Sequence, residues 1–233
     1  MFEPPERIVD LSLPLEHDMP VWPSFPPVDL KRTALRARDG FTMEKVEMRT
    51  HTGTHVDSPR HFVPEGPTLD SFPIEKFMGA GVVLDMTDVG NAAAITVEQI
   101  ARYEDDIETG DVIMLNTCWD QYHGHTNEWY FEFPHLTREA SEYLADLEPK
   151  AVGIDTQSVG GWYDDAPAHE ATTDVHPKDS HLPLLSNNIL TVEELANLDE
   201  VRDGATTKRA YFLYPPLNFQ DTSGSSARAF AFL

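Results

Sequence analysis

His51-Thr-Gly-Thr-His55-Val-Asp57-Ser-Pro59-Arg-His61 brings three imidazoles and a carboxylate into eleven consecutive residues. Gly53 and Pro59 oppose a continuous helix, so the His-x3-His spacing is not the i, i+4 pair of a helical zinc site. A strand over Glu44–Thr50 is expected to feed an irregular loop that wraps its ligands around an ion. Two neutral imidazoles with one carboxylate leave a coordination position open, as in catalytic rather than structural metal sites. The bland alternative is a polar surface loop with scattered histidines, which composition alone makes a poor account of this density.

Outward from this stretch, strand-like runs follow at Gly81–Asp85, Asp111–Thr117, Ala151–Asp155, Ala210–Tyr214 and Arg228–Leu233. Several are nearly all apolar and so read as buried on both faces. Thr137 with Ala140, Tyr143, Leu144 and Leu147 gives the stripe of an amphipathic helix capped by a threonine. Thr96-Val-Glu-Gln99 and Thr191-Val-Glu-Glu194 both read as capping boxes that open short helices. Prolines at 14, 20, 23, 26, 27, 59, 64, 67 and 73 indicate long ordered loops in the first third. No repeat or linker divides the chain, so residues 1–233 are expected to form one α/β domain with an excess of strand.

Composition narrows the function classes. The 233 residues carry 40 Asp+Glu against 17 Lys+Arg, a net charge of −23. Such a field repels phosphate backbones and anionic headgroups, which argues against nucleic acid and membrane partners. It also resembles proteins of salt-rich cytoplasm, where counterions screen self-repulsion, so a halophilic source is expected. The single cysteine, Cys118, permits no internal disulfide. The N-terminal residues lack the basic and apolar regions of a signal peptide, and no run approaches the ~20 apolar residues of a membrane span, so the expected location is cytoplasmic.

His51-x-Gly-Thr-His55-x-Asp57-x-Pro59-x-His61 resembles the signature of the metal-dependent cyclase family, which includes bacterial kynurenine formamidases and isatin hydrolases. The resemblance covers nearly the whole chain. Val9-Asp10-Leu11-Ser12 with Met19-Pro20-Val21-Trp22-Pro23 is similar to the family's opening, Gly110-Asp111-Val112 with Thr117 and Trp119 to its central strand, and Gly153-Ile154-Asp155-Thr156-x-Ser158 to the next. Gly224-Ser225-Ser226-Ala227-Arg228 resembles the closing Gly-Ser-Pro-x-Arg. The family's remaining ligands are a His and a Glu twelve residues apart, the Glu within Glu-Asn-Leu-x-Asn-Leu; His181 and Glu193 fit that spacing. Glu194 is read as closing the capping box of Thr191, which leaves Glu193 as the free ligand.

The resemblance implies a cyclase-type mixed, barrel-like sheet with flanking helices and a homodimer or homotetramer. It also implies an amidohydrolase with one or two divalent ions per subunit. On this reading His51, His55 and Asp57 bind one ion, and Asp57 bridges to a second held by His181 and Glu193. A ligand set of nitrogen and carboxylate suits Zn, Mn, Fe or Co, with Zn or Mn the first choices. His61, with an imidazole pKa near ~6.5, is expected to shuttle a proton, or else to be an extra ligand. N-formylkynurenine is the first-choice substrate and isatin or a related lactam the second. A non-catalytic metal- or aromatic-ligand-binding protein is the alternative of another class.

Other residues divide between roles. Trp22 is either a core anchor or a surface that stacks on an aromatic substrate. His123-Gly-His125 reads as loop near the pocket wall. His169 and His176 fall in Gly160–Ser180, which reads as a mobile flap. Cys118, where relatives often have Gly, reads as a buried thiol, and Arg228 as an ion-pair anchor rather than a pocket cation.

Overall fold

The computed structural model describes residues 5–163, 173 and 176–233. Its strands are β1 (Ile8–Asp10), β2 (Asp29–Ala34), β3 (Met43–Glu47), β4 (His55–Asp57), β5 (Met78–Asp85), β6 (Ala94–Ile95), β7 (Val112–Asn116), β8 (His135–Leu136), β9 (Ala151–Ile154), β10 (Leu190–Glu193), β11 (Thr207–Leu213), β12 (Gly224–Ser226) and β13 (Phe230–Phe232). The helices are α1 (Arg36–Asp39), α2 (Val97–Ala101), α3 (Asn127–Phe131), α4 (Arg138–Asp146), α5 (Pro177–Ser186) and α6 (Leu198–Arg202).

Nine strands form one mixed sheet, curled as a half-barrel, in the order β1-β13-β11-β5-β7-β9-β10-β4-β12. The central strands β5, β7, β9 and β10 run parallel, and antiparallel strands flank them on both sides. Parallel strands need cover on both faces, which is why the sequence here is continuously apolar. Val82, Leu84, Ile113, Leu115, Val152 and Ile154 form one core with Ile100 of α2, Ala140 and Leu144 of α4 and Leu184 of α5. Val83, Val112, Met114 and Val192 join Val9, Leu11 and residues of α6 in a second core. Each such large apolar side chain contributes about 1.5–3 kcal/mol on burial. The first and last strands pair directly, Val9 opposite Ala231, so one sheet ties both ends of the chain into a single α/β domain.

Most expected strands are present with small shifts of their ends. Two of the caps are also present: Ala140 N–H donates to Thr137 Oγ1 at 3.0 Å, and Thr96 N–H donates to Gln99 Oε1 at 2.8 Å. Three expectations fail. The strand read as Glu44–Thr50 ends at Glu47 and belongs to a separate, exposed β2–β3 hairpin. The supposed irregular ligand loop contains β4, a fully buried strand. Thr191-Val-Glu-Glu194 opens no helix, because Leu190–Glu193 is strand β10, paired with β9 on one side and β4 on the other. A cap contributes ~1 kcal/mol, less than the burial of β-branched Thr191 and Val192 between two strands. Among the described residues no helix is long and apolar enough to cross a membrane.

Candidate metal centre

Side chains two apart on a strand share a face, so β4 presents His55 and Asp57 together. The antiparallel register with β10 sets Glu193 opposite His55 and Thr191 opposite Asp57. On the other side of β4, β12 places Ser226 opposite His55 and Gly224 opposite Asp57. Gly224 leaves the room that His51 fills: a Cβ there would lie 2.4 Å from His51 Cε1. His181 comes from α5. These elements bring every predicted ligand to one place, as two overlapping groups, His51/His55/Asp57 and Asp57/His181/Glu193, whose ligand atoms lie within 4.8 Å of one another in each group.

Backbone carbonyls set the imidazole tautomers. His55 Nδ1–H donates to the Gly53 carbonyl at 2.7 Å, and His181 Nδ1–H donates to the Pro177 carbonyl at 2.8 Å. Whenever these rings are neutral, both Nε2 atoms turn their lone pairs toward the cluster, the outer-sphere arrangement common to ligating histidines. Gly53, at φ +62°, supplies the left-handed turn that aims its carbonyl back at His55. His51 Nδ1 lies 2.6 Å from Asp57 Oδ1, and its Nε2 lies 2.9 Å from Ser223 Oγ. Asp57 Oδ2 accepts from Thr191 Oγ1–H at 3.0 Å. Glu193 Oε1 accepts from Val159 N–H at 2.7 Å and Ser158 Oγ–H at 3.1 Å, with His181 Nε2 at 2.9 Å.

Two buried carboxylates without a cation are costly. Among the described residues the ion-pair partners of Asp57 and Glu193 are all imidazoles. Burial opposes ionisation of Asp57, but His51, His61 and His55 outweigh it and hold its pKa well below the usual range. Burial lowers His55, and Asp57 and Glu193 more than reverse this. Oriented Nε2 atoms, anionic carboxylates and the absence of thiolate together fit a divalent cation.

His61 stands outside both ligand groups and stacks on His51, ring centroids 4.0 Å apart. Burial, with Asp57 opposing and the His51 and His181 rings adding to it, pushes its pKa down to about 4 rather than the ordinary ~6.5. The cluster opens into a cavity of about 220 Å³ walled by Trp22, Phe25 and Phe62. Trp22, which lines this cavity, also packs on Trp162 at 5.4 Å and Phe133 at 6.3 Å, the contacts of a core anchor.

Sequence reasoning missed several groups around the cavity. Gln157 and Glu194 both line it, 3% exposed each, and Gln157 Nε2, Gln157 Oε1 and Glu194 Oε2 have no hydrogen-bond partner among the described residues. An unpaired buried polar group costs about 1–3 kcal/mol. Glu194 also adopts φ +53°, a conformation that favours Asn over Glu. Burial raises its carboxyl to about 8, with His55 opposing and Glu193 adding. Thr191, two residues before Glu193 on the same strand face, could have been found from period-two spacing.

The remaining residues sort clearly. His123 packs on Trp129, and His125 reaches Tyr130 Oη and the Asp18 carbonyl, both outside the ligand groups. His176 accepts from Lys178 N–H at the start of α5 and lines the cavity. The flap reading of Gly160–Ser180 is corrected at its end, where residues 177–180 form the first turn of α5; His169 lies outside the described residues. Cys118 does not line the cavity; its φ of +57° explains why glycine suits this position. Arg228 pairs with Asp10, as an anchor would.

Residues 9–160 match the family model described as "Putative cyclase". Kynurenine formamidase of Bacillus thuringiensis (strain Al Hakam) is 28% identical over 222 residues, 95% of each chain. A solved "potential metal-dependent hydrolase with cyclase activity" is 27% identical with a TM-score of 0.73, over 97% of both chains. Isatin hydrolase A from Labrenzia aggregata, solved with benzyl benzoate, shares the fold at a TM-score of 0.79 and 24% identity, over 97% of this chain and 93% of that one.

Proposed function

The chain belongs to the putative cyclase family, and from that premise we propose that it is a metal-dependent amidohydrolase acting on N-formylkynurenine to give kynurenine and formate. The observation that carries this reading is the pair of ligand groups sharing Asp57 at an aromatic-walled cavity. His51, His55, Asp57, His181 and Glu193 would hold one or two divalent ions, with Zn or Mn as first choices. When bound, such ions polarise a carbonyl and lower the pKa of water from ~15.7 toward ~7.

The chain's own groups supply the rest. Trp22, Phe25 and Phe62 present faces on which an aryl ring stacks and from which water is excluded. Water adds to the formyl carbon, the C–N bond breaks, and His61 carries the water's proton to the departing aryl nitrogen. Burial lowers the pKa of His61, so the ring is neutral at pH 7 with a nitrogen able to accept the proton it then passes on. The relative named kynurenine formamidase supports the formamide substrate, and lactam opening of the isatin type is the second reading, supported by the shared fold.

The test is metal-loaded protein mixed in turn with N-formylkynurenine and isatin while absorbance is followed. Release of kynurenine is the expected result; turnover of isatin alone, or of neither, overturns the formamidase assignment. The setting we propose is a cytoplasmic homodimer. Leu35, Phe41, Met43 and Val46, all exposed on and beside the β2–β3 hairpin, support an apolar contact face, which light scattering would check. The −23 charge supports a salt-rich environment, measured as a melting temperature that climbs into molar KCl.

A further inference from the structure

β9 and β10 are parallel neighbours, so their carboxyl ends lie side by side, the place where open α/β sheets bind ligands. Gln157 lies in the turn that follows β9, and Glu194 is the first residue after β10. The Glu194 N–H donates to the carbonyl of Thr156 at 2.9 Å, which fixes the two side chains on adjoining backbone. Both face the cavity that holds the ligand cluster. They do not bond to each other, and among the described residues the Gln157 amide nitrogen, its oxygen and Glu194 Oε2 accept or donate nothing. Neighbouring Ser158 and Glu193, by contrast, are bonded to each other.

Buried polar groups are paired as a rule, and groups left open in a cavity are completed by what enters it. The open set here is two acceptors and one amide donor. An α-ammonium group supplies donors to Glu194 Oε2 and Gln157 Oε1, and the adjoining carboxylate accepts from Gln157 Nε2. The aryl ring and the reacting amide have their own places, on the aromatic wall and at the ligand cluster. Resting on the formamidase reading, we propose that Gln157 and Glu194 form a subsite for an amino-acid tail, selecting an aryl formamide that carries an α-ammonium carboxylate over one that lacks it.

The experiment is calorimetric titration of the metal-loaded protein with L-kynurenine and with 2-aminoacetophenone, which has the same ring, ketone and amine but no tail. The wild type is expected to bind kynurenine at least about tenfold more tightly, the discrimination a site built for polar pairing readily provides. Gln157→Leu and Glu194→Gln should each cut that preference to about twofold or less while leaving 2-aminoacetophenone affinity unchanged and the melting temperature no lower. Gln157→Met serves as a second variant if the leucine disturbs folding. Equal affinities in the wild type, a preference that survives in the variants, or equal weakening of both ligands overturns the subsite. Turnover is read separately. A protein that prefers kynurenine yet leaves N-formylkynurenine intact loses the proposed reaction and keeps the subsite, and cleavage without tail preference does the reverse.

Discussion

Glu193 and Glu194 are consecutive, 4% and 3% exposed, and face one cavity, yet they live in opposite electrostatic worlds. Glu193 accepts from Ser158 and Val159, meets two imidazoles and is held below the usual carboxylate range: burial and Asp57 raise its pKa, but His181 and His55 prevail. Glu194 has an oxygen with no partner among the described residues, and burial raises its pKa instead. The polar atoms on the ligand side are prepaid with hydrogen bonds that hold them in place for an ion. Those on the Gln157 side are left open at a cost to stability, a pattern expected where a variable, departing molecule completes the bonding.

The largest effect should come from the atom both ligand groups share. Asp57→Asn removes the common anion while keeping shape, and metal content by elemental analysis should fall with turnover abolished. Asp70→Asn, at an exposed loop tie to Thr68 and Asp221, should do neither. Full metal occupancy in the Asp57 variant would break the shared-ligand half of the comparison. Next is His61→Ala, expected to retain the ions and lose ~10²–10⁴-fold in rate, the usual cost of a missing acid–base group. Recovery of activity by added Zn or Mn would show that His61 is a ligand instead.

A third change tests the room behind His51. Alanine at Gly224 sets a Cβ 2.4 Å from the His51 ring, which cannot swing freely because Asp57 and Ser223 hold both of its nitrogens. Metal affinity should fall about 10–100-fold, the range for disturbed ligand orientation, with the sheet intact. Unchanged affinity in a competition titration would mean that His51 contributes little to holding the ion.

How much of this was legible in the sequence depends on the range of the interaction. The density of His51, His55, Asp57 and His61 is local, and it announced a site without any fold. The apolar runs of β7 and β9 announced strands buried on both faces. β4 was hidden because three residues flanked by Gly53 and Pro59 become a strand only through β10 and β12; the Thr191–Asp57 bond spans 134 positions. The choice of Glu193 over Glu194 rested on a reason that the structure removes. No capping box exists there, and strand register rather than helix capping points Glu193 at the cluster. The start of α5 was obscured by flap-like composition and by Pro183 within the helix.

The last effect, one of stability alone, sharpens the contrast between the adjacent acids. In the metal-free protein the Glu194 carboxyl titrates near 8 when folded, against 4.5 as its ordinary value. Between those two pH values the native state holds a proton that the unfolded chain has released, so stability falls as pH rises, and the fall ends above the folded pKa. Glu194→Gln lacks this term. Its unfolding free energy relative to the wild type should therefore rise from pH 4.5 to 8 and then level, by up to ~1.4 kcal/mol per pH unit and on the order of 5 kcal/mol across the window. Asp155, buried and raised to about 7, titrates in both proteins and cancels from the difference. Denaturant melts across this window give the answer: curves that stay parallel from pH 4.5 to 8 would mean that Glu194 ionises in the fold as Glu193 does, and the two acids would no longer differ.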